Sequence, residues 1–249
     1  MTPALRTIAL RKSFGGIVAT DNVSMQIDHG ARHALIGPNG AGKTTLANLL
    51  SGTLRESSGR IELDGRDITH ASAHGRVRRG LVRTFQISEL FGRLTPLQTV
   101  ALAIAQREGQ PGWWRPLGET AEQRDESIGI LLRFHLADVM HRPASVLAYG
   151  KRRLLEIAIA IACRPRVLLL DEPVAGVPDG ERREILDTLD ALPADVSILL
   201  IEHDMDLVFS FARRISVLVN GALLTEGTPS EIARDVRVRD VYLGTAIDG

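Results

Sequence analysis

The sequence predicts an α/β fold. A mainly parallel sheet carries an antiparallel β portion at its N-terminal end, and a helical subdomain at 87–163 is inserted into a single 1–249 domain. Three observations lead there. Short apolar strand patterns alternate with helical ones through both ends of the chain. A glycine-rich loop joins an apolar strand to a helix at 37–44. From 87 to 163 the strand patterns stop and helical periodicity takes over.

Taken in order, 5–10 and 23–27 read as short strands bounded by turn residues. Arg32–Ile36 is a third strand, and Lys43–Ser51 is a helix that follows the loop. Residues 61–63 form a short strand running into the turn Asp64-Gly65. Helical periodicity covers 97–107, 120–134 and 150–163, with the breaker-rich GQPGWWRPLG at 109–118 between the first two. Residues 167–170 read as a buried strand and 179–191 as a helix. Ser197–Ile201 is a strand, and 204–212 a helix with Asp204 as its N-cap. Asn220-Gly221 between 216–219 and 222–225 signals a hairpin. Thr228-Pro229-Ser230-Glu231 combines a capping box with proline at the first helical position, so a last helix starts there.

Composition narrows the function classes. The 249 residues are 44% hydrophobic, enough for a sizeable core. Thirty basic residues balance thirty acidic ones, so no global field favours nucleic acid. A basic cluster at Arg76, Arg78, Arg79 and Arg83 lacks the interleaved aromatics of a nucleic-acid surface. The single cysteine, Cys163, permits no internal disulfide and fits a reducing cytosol. No apolar run approaches the roughly 20 residues that a membrane helix needs. The N-terminus has no apolar region of signal-peptide length. Work at a membrane therefore requires a partner.

Gly37-Pro38-Asn39-Gly40-Ala41-Gly42-Lys43-Thr44 fits the phosphate-loop pattern of glycine, four residues, glycine, lysine and Ser/Thr. Its glycines let backbone amides approach phosphates closely, and the helix N-terminus favours an anion. Lys43 is expected to reach the β- and γ-phosphates of ATP. Thr44 is expected to bind Mg²⁺, and Thr45 to donate to the α-phosphate. This makes the core that of a P-loop NTPase. The apolar strand at 167–170 ends in Asp171-Glu172, and parallel strands deliver their C-terminal residues to the ligand crevice. Asp171 is the expected Mg²⁺ ligand. Glu172 is the expected residue that orients the attacking water, since phosphoryl transfer rests on positioning and charge neutralisation. The competing assignment for this pair is capping of the next helix. His203, at the end of a third apolar strand, is a candidate partner of the γ-phosphate or a structural histidine.

In this order, these pieces resemble the nucleotide-binding domain of ABC transporters, and the resemblance covers essentially the whole chain. Leu147-Ala148-Tyr149-Gly150-Lys151 resembles the family signature LSGGQ, from which it departs at three of five positions. The resemblance implies that Ala148, Tyr149, Gly150 and Lys151 meet the γ-phosphate held by an opposite subunit. With alanine in place of the usual serine, backbone amides near Tyr149 and Gly150 must make that contact. Lys151, Arg152 and Arg153 stand in the first turn of the predicted helix, where the dipole favours acids. They gather a docking anion or form a solvated basic turn. Phe14 lies where family members stack an aromatic on adenine, with Val18 beside it; a core aromatic is the competing assignment. Gln86, in Arg83-Thr84-Phe85-Gln86, resembles the Q-loop glutamine that contacts Mg²⁺ or the attacking water. Pro178 stands where the family's D-loop has an acid, which implies altered coupling between subunits.

Ser13-Phe14-Gly15-Gly16, Ile201-Glu202-His203-Asp204-Met205, the loop around Trp113-Trp114 and the ending Tyr242-Leu243-Gly244 resemble ATPase subunits of bacterial branched-chain and hydrophobic amino-acid importers. That subgroup implies ATP and Mg²⁺ as cofactors, and a second ATPase subunit, identical or different. It also implies two transmembrane permease subunits, a periplasmic binding protein and no nucleic acid. It places the chain in the cytoplasm, peripheral on the inner face of the bacterial plasma membrane. Leu90, Phe91 and Leu94 are the expected lining of a groove for a membrane-subunit helix, or ordinary core. The ATPase of an exporter or lipid-transport system, a soluble ABC ATPase of DNA repair or translation, and a regulatory nucleotide-binding module stay open as alternatives.

Overall fold

A computed structural model describes residues 2–84, 92–109 and 120–244. In chain order the elements are β1 (Leu5–Phe14), β2 (Ile17–Val23), β3 (Gln26–Ile27), β4 (Arg32–Ile36), α1 (Lys43–Ser51), β5 (Ser58–Leu63), β6 (Arg66–Asp67), α2 (Ala73–Arg78) and β7 (Leu81–Arg83). Then follow α3 (Pro96–Arg107), α4 (Ala121–Arg133), α5 (Tyr149–Ala162), β8 (Val167–Asp171), α6 (Asp179–Asp190), β9 (Ser197–Ile201), α7 (Met205–Phe211), β10 (Arg214–Val219), β11 (Ala222–Gly227), α8 (Pro229–Arg234) and α9 (Val236–Gly244). The chain packs as two compact units. One comprises Met1–Leu81, Arg166–Glu172 and Pro193–Gly249; the other comprises Val82–Pro165 and Pro173–Leu192. The helical unit thus reaches past 87–163 to include α6.

The first unit holds two sheets. Strands β10, β4, β9 and β8 run parallel, with β11 antiparallel on one edge and β7 on the other, where the chain passes to the second unit. Strands β4, β8 and β9 are nearly continuous apolar runs, as strands covered on both faces require. Alternation divides their side chains. Leu35, Leu169 and Leu199 pack with Leu46, Leu49 and Leu50 of α1 and with Leu5, Leu10 and Ile61 of the antiparallel sheet. Ala34, Ile36, Ile215 and Val217 pack on the opposite face with Val208, Ile232 and Val238. The antiparallel sheet has the order β2-β1-β5-β6, with β3 on β1.

The strand expected at 23–27 is broken. The Thr7 hydroxyl donates to the Val23 carbonyl at 3.0 Å and accepts from the Met25 amide at 2.9 Å. The Thr7 side chain thereby takes the Val23 carbonyl and the Met25 amide, while the Thr7 amide keeps a backbone bond to the Met25 carbonyl at 2.9 Å, and β1 passes from β2 to β3. Past this point β1 continues to Phe14, paired with Ile17 across the glycine turn. Arg76 leaves the basic surface that its sequence neighbours suggested. It is buried and donates to the carbonyls of Leu49, Leu50, Thr69 and Ala71, closing the C-terminus of α1.

In the second unit, Val100 and Ile104 of α3, Leu131 of α4 and Leu154, Ile157 and Ile161 of α5 are buried. Arg107 ties the three helices, donating to Glu126 at 2.8 and 2.9 Å and to the Ala162 carbonyl at 2.8 Å. Among the described residues no helix is long and apolar enough to cross a membrane. Gln86, Leu90, Phe91, Trp113 and Trp114 lie outside the described residues.

Candidate active site

The phosphate loop begins where β4 ends. Gly37, Gly40 and Gly42 have φ of 156°, 79° and 99°, conformations that glycine adopts without steric cost. Space imposes the same choice. A Cβ on Gly37 would strike the Leu218 carbonyl oxygen, and one on Gly42 the Ala19 carbonyl oxygen. The Gly221 amide donates to the Ala41 carbonyl at 2.9 Å, and the Asp21 amide to the Gly221 carbonyl at 2.7 Å. The β10–β11 turn and β2 therefore brace the loop from outside. Gly42 is the N-cap of α1 and offers no side-chain acceptor, so an anion is the natural partner of the first-turn amides. Asn39, Gly40 and Thr44 are exposed, Pro38 and Thr45 half-buried, and Ala41 buried.

Lys43 is buried, and its Nζ donates to the carbonyls of Gly37 at 2.6 Å and Pro38 at 3.0 Å. Burial lowers its pKa, while the Glu172 and Asp171 carboxylates push it back up. The loop lysine and the two acids at the end of β8 thus form one electrostatic group. Asp171 pairs in register with Ile201 on β9, and the Glu172 amide donates to the Ile201 carbonyl at 2.9 Å. Glu172 has φ of 46°, a left-handed conformation uncommon for a non-glycine residue and concentrated at functional sites. Its Oε1 lies 3.5 Å from His203 Nδ1. Neither acid caps the following helix, because α6 starts after Pro178 with no side-chain cap. Asp204 caps α7, accepting from the Leu207 amide at 3.1 Å. The structure therefore brings Lys43, Asp171, Glu172 and His203 together.

Phe14 is 49% exposed, with Lys12 Nζ 5.1 Å from its ring centre, so it is not a core aromatic. Val18, half-buried on β2, pairs with Ser13. It directly precedes Ala19, whose carbonyl abuts Gly42. The adenine candidates thus sit on the hairpin that braces the loop. Thr44 and Asp171 are hard oxygen donors of the kind Mg²⁺ takes.

In the helical unit, Ala148 is the N-cap of α5 and makes no side-chain cap bond. The Gly150 amide donates to Glu181 Oε2 at 2.6 Å, and the Tyr149 hydroxyl to the Ala175 carbonyl at 3.1 Å. Lys151 Nζ donates to the His135 carbonyl at 2.6 Å and to Glu184 at 3.0 Å. Arg153 is buried against Glu156 at 2.9 Å. Lys151 and Arg153 are therefore not part of a solvated turn, and the anions beside them come from α5 itself, from α6 and from Asp138.

Two residues near the loop escape sequence reasoning. The Tyr242 hydroxyl on α9 faces the Gly37 amide, and burial raises its pKa while that amide opposes the shift. Glu202 is buried behind His203. The sequence signal for Glu202 is an acid breaking off an apolar strand, the signal that marks Asp171.

The sequence matches the family profile described as ABC transporter over residues 20–175. It matches the one described as branched-chain amino acid ATP-binding cassette transporter over 222–248. It is 38% identical to the high-affinity branched-chain amino acid transport ATP-binding protein BraF of Pseudomonas aeruginosa, over 98% of this chain and 99% of that protein. It is 37% identical to the corresponding protein LivG of Escherichia coli K12, over 98% and 99%. A solved ATP-binding cassette of an ABC transporter in its ADP conformation superposes with a TM-score of 0.86. That structure is 29% identical and covers 98% of this chain and 100% of its own. A phosphate loop facing paired acids, in a chain that aligns end to end with these cassettes, belongs to the ABC transporter family.

Proposed function

We propose that this chain hydrolyses Mg-ATP to power uptake of branched-chain or other hydrophobic amino acids through partner membrane subunits. The carrying observation is the placement of Glu172, whose carboxylate lies beside His203 and acts electrostatically on Lys43. The names of BraF and LivG support the cargo class. The match at 222–248 favours an importer of this kind over an exporter or a non-transport ATPase.

The loop amides and Lys43 hold the β- and γ-phosphates, and Thr45 holds the α-phosphate. Phe14 and Val18 receive adenine. Thr44 and Asp171, with Gln86, hold Mg²⁺, which neutralises charge on the phosphate oxygens. Glu172 orients the attacking water, and His203 meets the γ-phosphate. Ala148, Tyr149, Gly150 and Lys151 meet the nucleotide of a second ATPase subunit, so ATP favours the paired state by binding it better. Two permease subunits on the inner face of the plasma membrane and a periplasmic binding protein complete the assembly. The motion passes to them through the region after Gln86, where Leu90, Phe91 and Leu94 are the residues proposed to meet a membrane-subunit helix.

The test is uptake of radiolabelled leucine, isoleucine and valine by cells deleted for this chain. Wild-type chain restores uptake and Glu172→Gln does not. Unchanged uptake on deletion overturns the cargo. Purified Glu172→Gln that hydrolyses ATP at the wild-type rate overturns the site.

A further inference from the structure

The chain passes from the first unit to the second at Glu172–Pro173, directly behind the acid proposed to orient the attacking water. Glu172 is left-handed, with φ of 46°, and a residue in that region persists only where the surrounding structure holds it. On one side the hold is β8, paired in register with β9 through Asp171 and Ile201. On the other side come Pro173, whose ring fixes its own φ, and a turn. The Val177 amide donates to the Val174 carbonyl at 3.2 Å, with Ala175 and Gly176 between them. Gly176 has φ of 70°, and Ala175 is not among the residues of positive φ. Of the standard turns, that sign pattern belongs to type II.

Type II differs from type I by a flip of the central peptide, because ψ of the second residue and φ of the third change by about 150° and 170°. Here the central peptide joins Ala175 to Gly176, and its carbonyl accepts from the Tyr149 hydroxyl at 3.1 Å. The bond is therefore made to the group that a flip would carry away. The ring that bears the hydroxyl is itself held. The Arg152 and Arg153 guanidinium carbons lie 5.8 and 5.5 Å from its centre, and Arg153 is buried against Glu156 at 2.9 Å. Tyr149 and the 174–177 turn belong to the same compact unit. The hydroxyl bond is exposed, so it adds little to stability. Its removal reports on orientation rather than on folding.

We propose that Tyr149 is a positioning residue for hydrolysis at Glu172: its hydroxyl locks the central peptide of the 174–177 turn and so ties the segment that leaves Glu172 to the first turn of α5. The inference rests on the reading of Glu172 proposed above. The backbone amides of Tyr149 and Gly150 are the groups proposed to meet the nucleotide of a second subunit, and the hydroxyl has a separate task. It touches no reacting atom. It makes the backbone behind Glu172 follow α5, so a shift of that helix when nucleotide docks on it changes where Glu172 holds its water. Without the hydroxyl the central peptide is free to flip, and Glu172 is held from one side only.

The experiment compares the full-length wild-type chain with Tyr149→Phe, Gly176→Ala, the double variant and Glu172→Gln. The readouts are kcat and KM for ATP, nucleotide Kd and the urea midpoint. Tyr149→Phe keeps the ring, its cation contacts and the backbone amides, and loses only the hydroxyl. Gly176→Ala acts on the same turn from the other side. A Cβ there would meet the Tyr149 hydroxyl at an ordinary 3.5 Å, so only the positive φ opposes it. Each single variant is expected to lower kcat roughly 10-fold or more, because a displacement of about 1 Å can cost about 100-fold. Nucleotide Kd is expected to stay nearly unchanged. Both variants release one peptide, so the double variant is expected to be no slower than the slower single. An unchanged kcat in Tyr149→Phe overturns the inference. So do a loss that appears in Kd rather than in kcat, and losses that multiply in the double variant. A urea midpoint that falls in step with kcat assigns the bond a structural role and overturns the inference too. If Gly176→Ala does not fold, Tyr149→Phe decides alone. Full turnover in Glu172→Gln overturns the site reading, and the inference with it. Loss in Glu172→Gln with full turnover in Tyr149→Phe removes only the role of Tyr149.

Discussion

The Gly150 amide and the Glu181 carboxylate are joined by a hydrogen bond of 2.6 Å, so the N-terminus of α5 is closed by an acid from α6. The first turn of α5 has no acid of its own, and Glu181 supplies the negative charge that the dipole favours. In the proposed function that same amide meets the γ-phosphate of a second subunit, so Glu181 competes with the nucleotide. In a Glu172→Gln background, Glu181→Gln is expected to raise the fraction of dimer formed with Mg-ATP, read by light scattering. Its own stability is expected to fall by about 1 kcal/mol, the scale of a lost helix cap. Equal dimer fractions with and without Glu181 would show that the bond is structural only.

Phe14 offers a ring face that is half open to solvent, on the hairpin that braces the phosphate loop. Stacking of a base on an aromatic contributes about 1–3 kcal/mol. Phe14→Ala is therefore expected to weaken ATP binding roughly 10-fold, with little change in the urea midpoint. Phe14→Tyr keeps the ring and is expected to bind as wild type does. Titration calorimetry separates these cases, and an unchanged affinity in Phe14→Ala would remove Phe14 from the site.

How far the sequence discloses the structure depends on the kind of residue that faces inward. Over 32–51 an apolar strand, a glycine loop and an amphipathic helix reinforce one another, and both elements have the bounds that the sequence implies. The capping box at Thr228 marks the start of α8 equally well. Helix α2 escapes notice because its one buried residue is Arg76, and apolar periodicity does not register a helix anchored by a cation. The break after Val23 depends on the Thr7 hydroxyl, far from it in sequence. Asp171 and Glu172 are legible because they end an apolar strand. Glu181 is visible as an acid, but the Gly150 amide it serves is distant in sequence and set by tertiary structure, whereas Glu202 serves the amides of its own neighbours His203 and Asp204.

Arg76 closes the C-terminus of α1, the helix whose other end forms the phosphate loop. Its guanidinium satisfies four carbonyls in the interior, and burial lowers its pKa, with Glu56 opposing. Arg76→Met keeps much of the volume but leaves those carbonyls without the donor. The expected loss is about 3 kcal/mol or more, measured by urea unfolding. A loss below about 0.5 kcal/mol, as for an ordinary surface change, would show that α1 does not depend on it.

His33 gives the first unit a calculable sensitivity to acid. It is buried on β4, with Nε2 2.8 Å from the Ser216 hydroxyl, which itself donates to Glu226 at 2.6 Å. The serine proton is thus committed to Glu226, and His33 donates to the serine oxygen as a neutral ring. Burial lowers its pKa from 6.5 to about 4; Glu226 opposes this, Arg214 adds to it and Asp28 opposes it. Between pH 6.5 and about 4 the unfolded chain therefore binds a proton that the native chain does not. Stability must fall as the pH falls through that window. At 1.36 kcal/mol per unit, the loss reaches about 2 kcal/mol by pH 5. His33→Gln keeps a donor for Ser216 without a titrating group, so its urea stability is expected to change less between pH 7.5 and pH 5, by about that amount. Identical slopes in the two proteins would assign the acid sensitivity to other groups.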